Sequence, residues 1–279
     1  MRKISDLSVM TIIKNGGKMF KLWYQYYSSF IPTENIYVID YGSTDGSLTN
    51  ISCQTLKYPE LQTQIVHQGN SIINDLKSQL LQKTKYVMYA DYDEFLYHQD
   101  WNTLLAQDFP YYTTQGMEIV QNTSTESAIN FDKNIFQQRS YWYRCSSLDK
   151  PLLTRQNFHW APGNHSAIME IPIIKRDGSQ RKEQAVLKSQ YADGFYLLHF
   201  HRIDKQMCLE KNQKNHSERP NPEGGGEHNY LLEDAFQRWW YEGESKITKI
   251  PELLLTSFQN VFPYLYGKAD QTQAPEKAE

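Results

Sequence analysis

An α/β domain built on a mostly parallel central sheet flanked by helices is the fold class this sequence predicts, on two observations. Through the first hundred residues, short apolar runs alternate with segments whose apolar residues recur at helical spacing, the signature of strand-helix-strand units. Two of the apolar runs end in acidic and turn-forming residues, Asp40-Tyr41-Gly42-Ser43 and Asp91-Tyr92-Asp93-Glu94, and open α/β sheets bind ligands at the carboxyl ends of their strands. The 279 residues are 39% hydrophobic and 14% aromatic, which is enough to bury a substantial core and excludes a disordered chain. Past Tyr266 the chain turns to Ala, Gln, Glu and Lys, so a single domain over 1–265 with a flexible tail over 266–279 is expected.

The elements follow in order. Val9, Met10, Thr11, Ile12 and Ile13 form a first strand, which the turn Asn15-Gly16-Gly17 ends. A helix over 19–27 places Phe20, Trp23 and Tyr27 on one face, and Pro32 stops it. Residues 35–40 read as a buried strand, with 42–47 as a turn that opens a further helix. A third strand is expected over 64–67. A helix over 74–83 carries Leu76, Leu80 and Leu81, and the acidic strand spans 86–96. In the second half, strands are expected over 128–131, 141–143 and 196–201, a turn over 162–165 before apolar Ala167, Ile168 and Met169, and a helix over 205–214. The Pro- and Gly-rich stretch 219–227 reads as a mobile loop of the kind from which lids are drawn.

Charge and cysteine content narrow the function. With 29 Lys and Arg against 32 Asp and Glu, the net charge is −3, and no electrostatic case for a nucleic-acid partner exists. Cys53, Cys145 and Cys208 show no CxxC spacing and suit a reducing compartment. No apolar run approaches the roughly 20 residues of a membrane span. A cytoplasmic protein is expected, with room for peripheral contact at the inner membrane face. Four Asn-x-Ser/Thr triplets, at Asn50, Asn122, Asn164 and Asn215, are read as chance.

Asp91-Tyr92-Asp93-Glu94 is the most informative stretch. On a strand, Asp91 and Asp93 project to the same side and can hold one cation between them. Two hard oxygen ligands suit Mg²⁺ or Mn²⁺, ions that keep positions open for water and substrate phosphates. The alternative is a loop whose acids merely face water.

Taken in order, Ile12-Ile13-Lys14-Asn15, the aromatic helix with Trp23, the run from Tyr37 through Asp40 to Ser47, Asp91-Tyr92-Asp93-Glu94-Phe95, and His199-Phe200 followed by Glu210-Lys211 resemble family 2 glycosyltransferases of the GT-A fold, in particular a bacterial branch related to family 92. The resemblance covers roughly residues 9–211. It implies a nucleotide-diphosphate sugar donor, a Mn²⁺ or Mg²⁺ cofactor, a glycan or lipid-linked saccharide acceptor of the surface-polymer type, and inversion as the default outcome. Under it, Thr11, Lys14 and Asn15 border the nucleotide pocket, while Asp40 accepts from the base and Asp45 adds to the same site. Asp40 and Asp45 also read as plain turn or helix caps. Asp91 faces ribose or metal, Asp93 is a direct metal ligand, and His199 is a further ligand or a packed residue. His201 shares a strand face with His199, and the resemblance gives it no role. Glu94 supports the site or forms an ion pair. Asp149 and His165 are the candidates for the base that deprotonates the acceptor, with Lys150 a possible phosphate partner. Trp239-Trp240-Tyr241 stack on a sugar or pack the core.

The pattern departs from the family at Gly16-Gly17 and at Tyr41, which puts donor identity in question. Two rival readings follow: a nucleotide- or glycan-binding module without turnover, and a nucleotidyltransferase. The second is poorly served by Asn15-Gly16-Gly17-Lys18, a weak version of a basic Gly-rich phosphate loop.

Overall fold

The computed structural model describes residues 3–59, 65–107, 109–174, 180–218 and 231–262. The expected loop at 219–227 and the tail at 266–279 lie outside them. The described chain runs β1 (Leu7–Ile13), α1 (Gly17–Phe30), β2 (Ile36–Asp40), β3 (Gln54–Lys57), α2 (Ile65–Leu80), β4 (Tyr86–Tyr89), β5 (Glu94–Tyr97), α3 (Trp101–Ala106) and β6 (Tyr111–Ile119). It continues with β7 (Tyr141–Arg144), β8 (Leu153–Thr154), β9 (His159–Trp160), β10 (Ala167–Ile174), β11 (Gln180–Val186), β12 (Tyr191–His199), α4 (Lys205–Glu218), α5 (Glu233–Glu244), β13 (Thr248–Lys249) and α6 (Glu252–Val261).

The architecture is α/β. Strands β3, β2, β1 and β4 form a parallel block in that order, and β8 joins β4 antiparallel. The other half is mixed: β12 lies between β5, antiparallel, and β6, parallel. Register makes the parallel strands end nearly level, with Ile13 opposite Asp40 and Met10 opposite Tyr89, so the turns that follow share one edge. The apolar runs of β1 and β2 are buried along their length, as strands covered on both faces require. Helix α1 forms because its aromatic residues recur every three or four positions. Phe20, Trp23 and Tyr27 are fully buried, and the ring centroids of Trp23 and Tyr27 lie 4.6 Å apart. The helix ends where Ile31 N–H donates to the Tyr27 carbonyl, just before Pro32. Tyr26 carries the packing onward, stacked at 4.6 Å on Phe262 beyond α6.

Four sequence expectations give way. Residues 65–67 open helix α2, and the strand slot beside β2 is filled by β3, a short edge strand exposed at Gln54, Thr55 and Lys57 that shows no apolar run. The turn at 42–47 leads to β3 rather than to a helix, because the side chains of Asp40 and Asp45 cap its amides and close it locally. Residues 128–131 form no strand: Ile129 N–H donates to Asp204 Oδ2 and Asn130 N–H to Gln138 Oε1, so side chains replace a ladder. The acidic stretch 86–96 is two strands, β4 and β5, and Asp91, Tyr92 and Asp93 sit in the turn between them.

Candidate functional site

The turn after β4 is tight. Glu94 N–H donates to the Asp91 carbonyl, and Asp91 N–H returns a bond to Glu94 Oε2 at 3.2 Å. A turn breaks the strand alternation that would have pointed both aspartates at one ion, and the two carboxylates take different partners. Asp91 accepts from the Tyr89 hydroxyl at 2.5 Å and lies 3.8 Å from Lys150 Nζ, with 39% of its side chain exposed. Asp93 is buried. Its carbonyl accepts from Phe200 N–H, which fixes it against the end of β12, and its Oδ2 meets Lys211 Nζ at 3.0 Å.

Strand β12 supplies the rest. Register sets His199 opposite Glu94 on one neighbour and opposite Glu118 on the other. His199 Nδ1 bonds Glu118 Oε2 at 2.8 Å, and the rings of His199 and His201 stack at 5.6 Å. One ligand atom from each of Asp93, His199 and His201 lies within 4.8 Å of the others. Carboxylate and imidazole donors around a divalent ion stand roughly 3 to 4 Å apart, so a small contraction closes the set on such an ion, and two imidazoles beside a single carboxylate suit a transition-metal ion better than Mg²⁺. Glu118 holds one nitrogen of His199, the orienting contact that histidine ligands generally have. Asp91 stands outside this group.

Ion pairs hold the cluster together. Burial disfavours charge on Asp93, yet Lys211, His199 and His201 keep its carboxyl well below the usual range. Burial likewise opposes charge on His199, and Glu118 with Asp93 and Glu94 lifts it to about 9. A bound cation would therefore displace a proton from this ring. Lys150, buried and 2.5 Å from Glu94 Oε1, stays protonated against its desolvation because Glu94 and Asp91 face it.

Thr11, Lys14, Asn15, Asp40 and Asp45, expected to bind nucleotide, gather at the edge of the parallel block, where Asn15 and Asp45 knit two loops together and Asp40 closes one of them. Asn15, at φ 57°, donates its N–H to Ser43 Oγ and accepts Thr44 N–H at Oδ1. Asp40 accepts from Ser43 N–H, and Asp45 accepts from Gly17 N–H and Ser47 N–H. These are caps, as the plainer reading of Asp40 and Asp45 holds. Thr11 is fully buried with no hydrogen-bond partner at Oγ1, and Lys14 Nζ lies 6.0 Å from the Tyr41 ring centroid. Of the two base candidates, Asp149 has both oxygens committed, Oδ1 to Gly116 N–H and Oδ2 to Arg144 and the Tyr191 hydroxyl. His165 is exposed. Partial burial and the nearby Lys150 hold its ring below the ordinary histidine value. It follows Gly163 and Asn164, both at positive φ, in a 3₁₀ turn.

Sequence reasoning gave no role to His201, Glu118 or Lys211. The spacing of His201 from His199 was the one available signal for it. Glu118 comes from β6 with nothing local to mark it, and Lys211 comes from α4, where the pair Glu210-Lys211 entered the resemblance without a task. Trp240 is core, whereas Trp239 lies 5.5 Å from His201 and stacks on the Arg202 guanidinium at 3.5 Å.

No family model matches the chain, and no curated protein does. Several solved structures align with it weakly. S. aureus TarS is 13% identical over 52% of this chain, with a TM-score of 0.28, and the chain spans only 28% of its length. A TarS fragment, residues 1–349 in complex with UDP-GlcNAc, is 10% identical over 94% of this chain and 79% of its own, with a TM-score of 0.32. The galactosyltransferase LgtC, in complex with donor and acceptor sugar analogs, is 7% identical over 90% of this chain and 99% of its own, with a TM-score of 0.26. Similarities of this size transfer neither fold nor activity.

Proposed function

We propose that the chain is a glycosyltransferase of the GT-A type that takes a nucleotide-diphosphate sugar and, with Mn²⁺ or Mg²⁺, passes the sugar to a glycan or lipid-linked saccharide. The observation that carries this is the meeting of Asp93, His199 and His201, as one cation-donor set, with the partly exposed Asp91 and the buried Lys150 beside the carboxyl edge of the parallel block. The resemblance in residue order along 9–211 supports the same reading.

Each residue has a task in it. Asn15, Asp40 and Asp45 shape the wall against which the nucleotide lies by holding its two loops, Lys14 lies beside Tyr41 at the same edge, and Thr11, fully buried in β1, backs it. Asp91, with an accessible carboxylate, accepts hydrogen bonds from the ribose or meets the cation. Asp93, His199 and His201 hold the cation, which as a Lewis acid stabilises negative charge on the departing diphosphate. Lys150 adds a fixed positive charge beside that position. His165 is preferred over Asp149 as the base, because its ring is exposed and biased toward the neutral form that accepts a proton at pH 7. Inversion at the sugar follows from a single displacement with this base. No helix among the described residues is long and apolar enough to cross a membrane. Work at the cytoplasmic face, on one domain spanning 1–265, completes the reading.

A thermal-shift panel of nucleoside diphosphates, with and without Mn²⁺, tests it. Ligand that binds the native state raises the melting point by mass action. At least one nucleoside diphosphate is expected to raise Tm, and more so with Mn²⁺. A flat panel under both conditions sinks the assignment.

A further inference from the structure

We propose that Lys211 and a divalent cation compete for Asp93: Lys211 is the resident counter-charge of the site, and cation binding frees its ammonium for an anionic group of the donor. The inference rests on the transferase reading only in its last clause. Asp93 is the one carboxylate in the donor set, and its Oδ2 already receives Lys211 Nζ at 3.0 Å, a full charge-assisted hydrogen bond. A cation that took the same oxygen would stand close to an ammonium in a poorly solvated site, where like charges repel strongly. His201 Nδ1 lies 4.0 Å from that same Oδ2, so the donor set faces the oxygen that Lys211 holds, and there one of the two must leave.

The packing says which. Asp93 is buried, and its backbone is tied to Phe200 N–H, so the carboxylate has little freedom. Lys211 stands on α4, where its ammonium also bonds the Tyr92 side chain 5.3 Å from that ring's centroid, and 35% of its side chain is exposed against 6% for Lys150, so its stem gives it a route toward solvent that Lys150 lacks. Lys150 offers the contrast: it is buried, bonded to Glu94 at 2.5 Å and next to Asp91, with no such exit. The two lysines therefore differ in kind. Lys150 is a fixed charge, whereas Lys211 is an exchangeable one that keeps Asp93 paired until a cation arrives and is afterwards available to a phosphate. Cation and donor then assist each other's binding, because each removes an unfavourable charge left by the other.

Calorimetric titration of Mn²⁺ into the wild-type chain, Lys211→Met and Lys211→Arg tests the competition. Lys211→Met is expected to bind Mn²⁺ on the order of tenfold tighter than wild type, and Lys211→Arg to stay near wild type. Equal or weaker Mn²⁺ binding by folded Lys211→Met overturns the proposal. A measurement on the wild-type chain covers the case of a variant that does not fold. An amine-acylating reagent followed by mass spectrometry should label Lys211 several-fold faster with Mn²⁺ present, and unchanged labelling overturns the proposal as well. Titrating UDP, GDP, ADP and CDP into the same samples separates the two readings. A gain in Mn²⁺ affinity with no nucleoside diphosphate bound by any form removes the transferase and leaves the competition standing. Nucleotide binding with Mn²⁺ affinity unchanged between wild type and Lys211→Met removes the competition alone.

Discussion

In the parallel block, Asp40 and Asp45 give their oxygens to backbone amides, those of Ser43, Ser47 and Gly17. In the mixed half, Asp93 gives an oxygen to the Lys211 side chain, and Glu94 and Glu118 each give one oxygen to a side chain, Lys150 or His199, and the other to a backbone amide, that of Asp91 or Arg202. An amide held in a turn cannot be exchanged for a ligand without undoing the turn. A side-chain cation can be exchanged, since its charge is what the carboxylate requires and another cation supplies it. The parallel block thus provides a fixed wall and the mixed half provides replaceable contacts.

Buried lysines repeat the contrast. Lys150 faces Glu94 and Asp91 and is held protonated. Lys77 of α2, with no exposed surface, donates to Asn74 Oδ1 at 2.9 Å and lies 4.5 and 5.0 Å from the ring centroids of Trp160 and Phe158. Burial lowers its value to about 7. An amide dipole and two aromatic faces do not replace a carboxylate as partner for an ammonium.

The largest effect expected from this difference is at Lys150. Lys150→Met leaves Glu94, almost fully buried, without its cation, and removing one partner of a buried pair costs about 3–5 kcal/mol. Urea unfolding reads that loss directly. The double variant Lys150→Met with Glu94→Gln should recover most of it, because the stranded charge is gone. A single-variant loss below about 1 kcal/mol, the range of an exposed pair, would mean that water reaches the site and that the mixed half is not built on desolvated pairs.

Next in size is the pH dependence that Lys77 imposes. The folded chain releases this proton near pH 7, whereas an unfolded lysine holds it to 10.5. Between those values the unfolded state binds the extra proton, so stability rises with pH across the window. Relative to Lys77→Met, which has no proton to lose, wild type should gain on the order of 3 to 4 kcal/mol from pH 7 to pH 10.5. Parallel stability profiles for the two chains would show that Lys77 keeps its charge and that the contrast between the lysines is false.

The same division governs what could be read from the sequence. Periodicity located α1, β1, β2 and β4 because each is an apolar pattern written in consecutive residues. It missed β3, a polar edge strand with few side chains to bury. It also placed Asp91 and Asp93 on one strand, because the turn between β4 and β5 is made without Gly or Pro: a Glu94 side chain closes it instead. Asp91, Asp93 and His199 stood out in the sequence as candidates. Glu118 did not, and Lys211 was noticed only as part of Glu210-Lys211 with no role, since their place in the site depends on β6 and α4 arriving beside β12, a matter of tertiary register.

The smallest expected effect separates wall from ligand within the parallel block. Asp45 is an exposed residue whose Oδ2 accepts from Gly17 N–H, at the first turn of α1, and whose Oδ1 accepts from Ser47 N–H. Although partial burial works against the charge, these bonds hold its carboxyl below the usual value. The stability they lend is present at neutral pH and is lost as pH falls through the folded value, when the carboxyl takes up a proton. Asp45→Ala should lower stability by about 1 kcal/mol, the usual worth of such a cap, and flatten the acid limb of the stability profile. If Asp45 serves nucleotide binding only by holding the loop, the affinity of Asp45→Ala for a nucleoside diphosphate should fall no more than about twofold, as the stability loss is local and the loop is also pinned by Asn15 and Asp40. A tenfold fall in affinity with stability unchanged would reverse the assignment and make Asp45 a direct ligand, so the wall would carry exchangeable contacts after all.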